Sequence, residues 1–294
     1  MPQQKFKGTG VAIVTPFRED GTIDFKSLEK LLEHIIAKGV EYVVALGTTG
    51  ENVTLSKDEK KAVVNHVIDV VGKRVPVVVG MGGNNTQEVV NSIKNADFEG
   101  IDAILSVAPY YNKPSQKGLY LHFKTIADVS SVPVIIYNVP GRTGSNISAD
   151  TTVRLAKENK NIIAIKEASN DLGQIMNIIK NKPKNFLVIS GDDANTLPII
   201  ALGGSGVISV VANAFPKEFS DMVSLAIESD IQAAAEIHYI LLDMIGALFA
   251  EGSPSGIKAV LEILGIVKNH VRLPLVPVSD EHYKKLTILV KKLQ

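Results

Sequence analysis

The sequence predicts an α/β fold, a (β/α)8 TIM barrel with a C-terminal helical extension. Eight short runs rich in β-branched residues alternate with amphipathic segments. Several runs are almost continuously apolar, as expected of parallel strands that are covered on both faces. Their starts lie roughly 20 to 34 residues apart, the length of one strand–helix unit, which favours a closed barrel over the alternative, a doubly wound sheet. The predicted strands are residues 11–14, 42–46, 75–79, 102–107, 132–137, 162–166, 186–190 and 206–210.

Helices are predicted between the strands and after the last one. Hydroxyl side chains that can accept a first-turn hydrogen bond precede several of them. These are Ser56 before 57–71, Thr86 before 87–96 and Ser148 before 149–157, and further helices are predicted at 217–227, 231–249, 256–264 and 280–292. Only about one helix is needed to complete a barrel after its last strand, so we expect residues 1–215 to form the barrel core. Residues 216–294 would then form the last barrel helix and the C-terminal helical extension.

Composition limits the classes of function. The sequence has 31 Lys and Arg against 31 Asp and Glu, so no net charge attracts nucleic acid or an anionic membrane. Cysteine is absent, which excludes thiolate metal sites and disulfides and is typical of a reducing cytosol. The first residues lack the apolar segment of a signal peptide, and the apolar stretch 240–250 is too short to span a bilayer. We therefore expect a soluble, cytoplasmic protein with no nucleic acid and no membrane partner.

Polar residues follow four of the predicted strands, at the ends where TIM barrels hold their active sites. The segments are Gly47-Thr48-Thr49-Gly50-Glu51, Pro109-Tyr110-Tyr111-Asn112, Tyr137-Asn138 with Pro140-Gly141-Arg142-Thr143-Gly144, and Lys166-Glu167-Ala168-Ser169. We expect all four to open onto one mouth of the barrel.

Lys166 is the strongest single indication of chemistry. Strand alternation puts Ile162, Ala164 and Lys166 on one face. Inside a barrel, apolar walls would disfavour the charged ammonium and lower its pKa, which gives the free amine that a Schiff-base nucleophile needs. The structural alternatives are an ion pair with Glu167 or a side chain that extends from the strand end into solvent.

Three neighbouring features have both a chemical and a structural interpretation. Tyr137 shares the inward phase of its strand and could transfer protons, or it could be a core aromatic with a bonded hydroxyl. Thr48 and Thr49 could hold a carboxylate or an anionic intermediate, or they could only cap the following helix. Arg142 could offer a planar fork to a substrate carboxylate, although most loop arginines are only solvated.

Aspartate and glycine patterns elsewhere predict less. Asp192 and Asp193 are typical of a helix N-terminus, and no clustered histidines support a metal site. The glycine-rich residues 203–206 precede the last strand, which places them at the end of the barrel opposite a phosphate site. Residues 80–84 follow the third strand and precede a helix, a position that predicts a small-ligand loop.

Together the strand-end motifs resemble the dihydrodipicolinate synthase family, part of the N-acetylneuraminate lyase and class I pyruvate-dependent aldolase superfamily. The likeness covers almost the whole chain. The matching segments are residues 47–51 (GTTGE), 109–114 (PYYNKP), 137–144 (YNVPGRTG), 165–168 (IKEA) and 206–209 (GVIS). The resemblance implies the condensation of pyruvate with L-aspartate 4-semialdehyde in lysine and diaminopimelate biosynthesis. It implies a covalent imine on the enzyme and neither a metal nor an organic cofactor.

The resemblance also implies a role for individual residues. Lys166 matches the imine-forming lysine and Tyr137 the general acid and base. Thr49 matches the threonine of a proton relay. Tyr111 matches the tyrosine that one subunit contributes to the active site of its partner. The substrate-binding positions are matched by Thr48 and Thr49 for the pyruvate carboxylate, Ile208 for the pyruvate site, and Arg142 for the carboxylate of the semialdehyde.

The alternatives within the superfamily are an N-acetylneuraminate lyase and a keto-deoxy-sugar-acid aldolase. Such relatives typically lack the arginine motif around Arg142, so the motif favours the synthase. A non-catalytic pyruvate-binding barrel is the alternative outside enzymes, and it requires an unreactive Lys166.

Assembly and regulation also follow from the resemblance. Family members usually form homotetramers from tight dimers, and many bind lysine as an inhibitor at a dimer-interface site that Asn84, Glu88 and Tyr110 match. Lys57 and Lys60 stand where lysine-sensitive members often carry histidines. Their added positive charge would repel a cationic effector, so we expect weak or absent inhibition by lysine.

Overall fold

The computed structural model describes residues 2–294, and its strands close into one parallel barrel in chain order. Each strand pairs with the next, and the eighth pairs with the first to complete the ring. The predicted TIM barrel is confirmed, and the doubly wound alternative is wrong. The strands are β1 Gly8–Ala12, β2 Tyr42–Ala45, β3 Val77–Gly80, β4 Ala103–Val107, β5 Val134–Asn138, β6 Ile162–Glu167, β7 Leu187–Ser190 and β8 Gly206–Ser209.

The α-helices cover the outside of the barrel and form its C-terminal extension. They are α1 Phe25–Ile36, α2 Lys57–Val71, α3 Thr86–Lys94, α4 Gln116–Val129, α5 Pro140–Thr143, α6 Ala149–Glu158, α7 Leu172–Asn181, α8 Thr196–Ala201, α9 Pro216–Ile227, α10 Ile231–Phe249, α11 Ser255–Ile263 and α12 Asp280–Leu293. The four helices predicted after the last strand are present as α9 to α12. The division of the chain between residues 215 and 216 stays a prediction.

The first strand begins earlier than predicted, at Gly8 rather than at residue 11. Glycines in a strand hide its pattern in the sequence, and here they allow close packing. A Cβ at Gly10 would lie 2.2 Å from ring carbons of Tyr42, which is buried inside the barrel. The Tyr42 ring meets Phe6 edge-on at 5.7 Å between centroids, and this aromatic pair fills the amino-terminal end of the barrel.

One face prediction for β6 is wrong. Ile162 pairs with Val134, but the next pair is Ala164 with Ile135, so Ile163 is an extra residue at a β-bulge. Ile162 consequently packs in the apolar layer under the helices, whereas Ala164 lies in the cluster inside the barrel. The inward phase predicted for Ala164 is correct because it lies beyond the bulge.

The helix caps follow the predictions with one exception. Ser56 forms a capping box with Glu59, and Ser148 accepts a hydrogen bond from the Thr151 backbone N–H. Thr86 is not a cap: Asn85, a stronger capping residue one position earlier, accepts from the Gln87 N–H. The Thr86 hydroxyl instead hydrogen-bonds His122 Nδ1 at 2.8 Å.

The extension packs against the barrel rather than standing apart. Leu286 and Val290 of α12 belong to the same buried apolar cluster as Leu31 of α1. Helix α10 is, by length and composition alone, long and apolar enough to cross a membrane, and it is longer than the stretch predicted to be too short. Its buried residues include Leu241 and Met244, which belong to the same apolar cluster, while Tyr239 and Ile240 are exposed.

Candidate active site

A cavity of about 260 Å³ opens at the mouth formed by the carboxyl ends of the strands. Its wall brings together three of the four predicted segments, through Thr48, through Tyr110, and through Tyr137 with Arg142, while the Lys166 segment lies outside the wall. The wall also includes Gly80 and Gly82. A groove of about 600 Å³ lies elsewhere, between α1 and the loop after α11, and contains none of the predicted site residues.

Lys166 occupies the carboxyl end of β6 with 5% of its surface exposed. Burial lowers the pKa of its ammonium to about 8; the negative charge of Asp193 raises this pKa, and the positive charge of Arg142 lowers it. A substantial fraction of Lys166 is therefore the neutral amine near pH 8, which is the form that attacks a carbonyl carbon.

Close packing on each side fixes the Lys166 side chain. Its Nζ lies 4.4 Å from the centroid of the Tyr137 ring. Gly191 leaves room on another side, since a Cβ there would lie 3.0 Å from Lys166 Cε. Within residues 2–294, no ion pair joins Lys166 to Glu167, whose buried carboxylate accepts hydrogen bonds from Asn138 Nδ2. Both structural alternatives for Lys166, the Glu167 ion pair and extension into solvent, are therefore wrong.

Tyr137 lies beside Lys166 in the paired strand β5 and is 6% exposed. Burial raises the pKa of its phenol, while the charge of Arg142 and the side chain of Thr48 lower it. The phenol is thus neutral at physiological pH and keeps a proton that it can donate. The core interpretation also holds in part, because the Tyr137 ring belongs to the apolar cluster inside the barrel.

The turn after β2 carries both predicted threonines. It is a 3-10 helix over Thr48–Gly50, and the Thr15 hydroxyl holds it by donating a hydrogen bond to the Gly50 carbonyl at 2.7 Å. Thr48 is exposed at the cavity wall, whereas Thr49 is buried. The turn therefore presents one side chain to the mouth and encloses the other.

Arg142 belongs to the short helix α5, which begins directly after the strand of Tyr137. Its side chain is exposed and lines the cavity, and its charge lowers the pKa of both Lys166 and Tyr137. A buried network ties its loop to the strand ends: Asn138 accepts from the Ile147 N–H at 2.9 Å. The same asparagine donates from Nδ2 to the Glu167 carboxylate at 3.0 Å.

Ile208 lies near the carboxyl end of β8 and is 1% exposed. It belongs to the apolar cluster inside the barrel that also contains Ala164 and Tyr137. It therefore supplies apolar surface below the mouth.

The loop after β4 has an unusual backbone at Tyr111, where φ is +73°. A bulky residue rarely adopts this conformation, so the surrounding structure must hold it. The Tyr111 side chain is 89% exposed, so almost its whole surface is free in the single chain. Asn84 and Asn112 brace the loop, since Asn84 Nδ2 donates to the Tyr110 carbonyl and Asn112 Nδ2 to the Asn84 carbonyl, each at 3.2 Å.

The residues of the predicted effector site are only partly assembled. Asn84 contacts Tyr110 through the hydrogen bond just described, and Glu88 is exposed in the first turn of α3. Lys57 is exposed at the start of α2, while Lys60 is half-buried with a pKa that burial lowers.

Sequence reasoning missed Asp193. This carboxylate is 3% exposed and accepts a hydrogen bond from the Val211 N–H at 2.8 Å. Burial raises its pKa to about 6, and its charge raises the pKa of Lys166. The predicted helix N-terminus is wrong for both acids, because α8 begins at Thr196 with Asn195 before it; Asp192 accepts a hydrogen bond from the Asn195 N–H at 2.9 Å in the turn that precedes the helix. Asp193 lies just beyond the carboxyl end of β7, and this position is the signal that could have identified it.

Across residues 2–294, no group of three or more His, Asp or Glu side chains is placed to hold a metal ion.

The sequence matches the model of the Dihydrodipicolinate synthetase family over residues 5–293. A relative from Flavobacterium psychrophilum named 4-hydroxy-tetrahydrodipicolinate synthase is 51% identical over 290 residues, which cover 99% of each chain. A relative of the same name from Parabacteroides distasonis is 49% identical over 293 residues, covering 100% of this chain and 99% of the relative.

Solved structures agree with the sequence match. The chloride-inhibited dihydrodipicolinate synthase of Acinetobacter baumannii, complexed with pyruvate, has a TM-score of 0.94 at 43% identity, covering 97% of this chain and 98% of that chain. The synthase of Cyanidioschyzon merolae with lysine bound has a TM-score of 0.94 at 36% identity, covering 98% of each chain. The resemblance predicted from the strand-end motifs is confirmed, and this chain belongs to the dihydrodipicolinate synthetase family.

Proposed function

We infer that this chain is a lyase that condenses pyruvate with L-aspartate 4-semialdehyde to 4-hydroxy-tetrahydrodipicolinate, a step of lysine and diaminopimelate biosynthesis. The observation that carries this inference is the buried Lys166 amine, with its pKa lowered to about 8, beside Tyr137 at the barrel mouth. Full-length relatives that bear the name of this synthase support the substrate assignment.

The reaction begins when the Lys166 amine attacks the keto carbon of pyruvate and water leaves, forming a protonated imine. The imine withdraws electrons from the neighbouring methyl group, which loses a proton to give an enamine. The enamine carbon attacks the aldehyde carbon of the semialdehyde and forms the new carbon–carbon bond, the aldehyde oxygen takes up a proton, and the imine to Lys166 re-forms. The amino group of the semialdehyde then attacks the imine carbon and displaces the Lys166 amine, which closes the ring of the product. No metal and no organic cofactor is needed for these steps, because the imine itself is the electron sink.

Protons reach the reacting atoms through Tyr137. The face of its ring lies against the Lys166 amine, and in this proposal its neutral phenol protonates the leaving hydroxyl during imine formation. Thr49 and Tyr111 extend the relay in this proposal. The exposed side chain and strained backbone of Tyr111 support its insertion into a second copy of the chain, in a homotetramer built as a dimer of dimers.

Substrate carboxylates bind on either side of the amine. Thr48 and Thr49, with the backbone N–H groups of their turn, receive the pyruvate carboxylate, and Ile208 supplies apolar surface beneath it. Arg142 receives the carboxylate of the semialdehyde through its planar fork. The exposed position of Arg142 on the cavity wall supports this role.

We propose further that the enzyme works in the cytoplasm and binds neither nucleic acid nor membrane. An effector site formed by Asn84, Glu88 and Tyr110 would accept lysine weakly, because Lys57 and Lys60 add positive charge nearby. Steady-state inhibition by micromolar lysine would contradict this last proposal.

Borohydride reduction in the presence of pyruvate tests the function directly. We expect peptide mass spectrometry to locate the added mass on Lys166, and we expect Arg142→Ala to form the adduct but lose turnover of aspartate semialdehyde. An adduct without semialdehyde turnover in the unmodified protein would move the substrate toward a sugar acid. Absence of the adduct would leave a pyruvate-binding barrel.

A further inference from the structure

Glu51 joins the active-site turn to the C-terminal extension. It directly follows the turn that carries Thr48 and Thr49, and its side chain forms an ion pair with Lys258 of α11. Both side chains are fully buried, although the two residues are separated by 207 positions in the sequence. The ammonium of Lys258 also lies over the Phe17 ring, 4.3 Å from its centroid.

The segment after α11 contributes further contacts to the same turn. The second carboxylate oxygen of Glu51 accepts a hydrogen bond from the Arg272 backbone N–H at 3.0 Å. The Arg272 guanidinium donates to the carbonyl of Thr54, at the end of the short 3-10 helix that follows Glu51, at 2.9 Å. Lys258 is itself held, since its Nζ donates to the His270 carbonyl at 2.7 Å. Residues 258–272 therefore fix the turn through side-chain and backbone groups together.

The backbone at Glu51 has an unusual conformation that these contacts help to hold. Its φ is +52°, a left-handed conformation that residues with side chains adopt rarely. Its N–H donates to the Thr48 carbonyl at 3.1 Å, so the position of Glu51 is linked to that of the turn. A change in Glu51 would thus be transmitted to the groups that face the cavity.

Stability alone is a poor explanation for this pair. A buried ion pair usually adds little net stability over an apolar pair of similar size, because desolvation offsets the attraction. The pair does provide a fixed direction, since both carboxylate oxygens are occupied by partners from the extension.

We propose that Glu51 is a positioning residue of the imine-forming site, which Lys258 and Arg272 of the extension hold so that the Thr48–Thr49 turn meets the pyruvate carboxylate. This inference rests on the proposed function of the turn. It assigns the extension a part in pyruvate binding, in addition to any part in folding.

The test compares Glu51→Gln, Lys258→Met and the double variant Glu51→Gln with Lys258→Met. Lys217→Met, which breaks the exposed ion pair between Lys217 and Asp221 on α9, is the matched control. For each protein we would measure the melting temperature, the pyruvate concentration that gives half-maximal borohydride adduct, and the KM for the semialdehyde.

The double variant decides the outcome, because it leaves no unpaired buried charge and should fold even where the single variants do not. We expect it to need at least roughly tenfold more pyruvate, since misplacement of a binding group by about 1 Å has effects of this size. Its semialdehyde KM should stay within about twofold, and the control should match the unmodified protein.

A folded double variant with unchanged pyruvate dependence would overturn the proposal, as would an equal loss for both substrates. Lys258→Arg keeps the charge but moves it, and should show a smaller rise in the pyruvate requirement than the double variant. If the unmodified protein forms no adduct at all, the proposed function fails rather than this inference.

Discussion

Lys166 and Tyr137 are paired residues of neighbouring strands, and the Lys166 Nζ lies 4.4 Å from the centre of the Tyr137 ring. The aromatic face attracts a cation weakly, while burial opposes the charge more strongly, so the net effect is a pKa below the ordinary value. The pairing places an amine and a neutral phenol side by side on rigid elements. Rigid strands hold such a pair more precisely than loops would.

Removal of the Asp193 charge should shift the pH dependence of imine formation. In the unmodified protein the rate should rise with pH through about 8, as Lys166 loses its proton. The Asp193 carboxylate stabilises the ammonium and raises its pKa, so Asp193→Asn should move the rise to lower pH. Cyanoborohydride trapping between pH 6 and about 10 measures this shift. Asp221→Asn, at an exposed position, is the control and should leave the pH profile unchanged. A shift of the profile to higher pH in Asp193→Asn would contradict the predicted direction.

Gly191→Ala should damage the site by crowding. The new methyl would lie 2.8 Å from Ala168 Cβ and 3.0 Å from Lys166 Cε, so the lysine must move. We expect about 1–3 kcal/mol lower stability to unfolding by urea, and at least about tenfold less pyruvate adduct in the folded variant. Gly246→Ala in α10 is the control, since no atom lies near its added methyl. Normal adduct formation in Gly191→Ala would show that Lys166 has more room than the structure indicates.

Subunit mixing should reveal whether Tyr111 acts across an interface. Tyr111→Ala and Lys166→Met should each be nearly inactive as pure proteins. In a mixed dimer, the subunit with Tyr111→Ala keeps its lysine and receives the tyrosine from its partner, so one of its two sites is complete. After random exchange of subunits we expect about a quarter of the unmodified activity to return. No recovery in a mixture that mass spectrometry shows to contain mixed dimers would mean that Tyr111 acts within its own chain, whereas full activity of pure Tyr111→Ala would mean that it does not act at all.

The pair of Glu59 and Arg272 should stabilise the fold in a pH-dependent way. Hydrogen bonds from Arg272 hold the pKa of Glu59 at about 2, below its ordinary value of 4.5. The contribution is therefore complete above about pH 4.5 and is lost as the pH falls toward 2. Glu59→Gln keeps an acceptor for the Ser56 N–H but loses the charge, so it should lower stability at pH 7 by about 1 kcal/mol, with the difference vanishing near pH 2.

Thermal unfolding of both proteins from pH 2 to 7 measures this difference. Glu33→Gln, at the more exposed pair with Arg74, should change stability less. A stability difference between Glu59→Gln and the unmodified protein that grows toward low pH would contradict the predicted direction of the pH dependence.

Local signals explain what could be predicted from the sequence. Helix α2 was predicted to the residue, because Ser56 with Glu59 marks its start and Gly72 its end. Lys166 and Tyr137 were found because a charged or phenolic group ending an apolar strand stands out. Asp193 does not end its strand but follows it, since β7 ends at Ser190, and the neighbouring acid suggested a helix terminus instead.

Other features have no local signal. The bulge in β6 falls between two isoleucines, so the sequence does not show which of them is the extra residue. The partner of Glu51 lies 207 residues away, and nothing near either residue indicates the contact. Pairing of this kind depends on the packing of the whole chain.

The separation of Glu51 and Lys258 also has a consequence for protein synthesis. A chain leaves the ribosome from its N-terminus, and Lys258 is made only after all eight strands. A nascent barrel can therefore carry Lys166 in place while the carboxylate beside the threonine turn still lacks its counter-ion. The contact between Glu51 and Lys258, and with it the proposed positioning of the threonine turn, can form only after α11 has been synthesised, so a chain truncated before α11 would lack it.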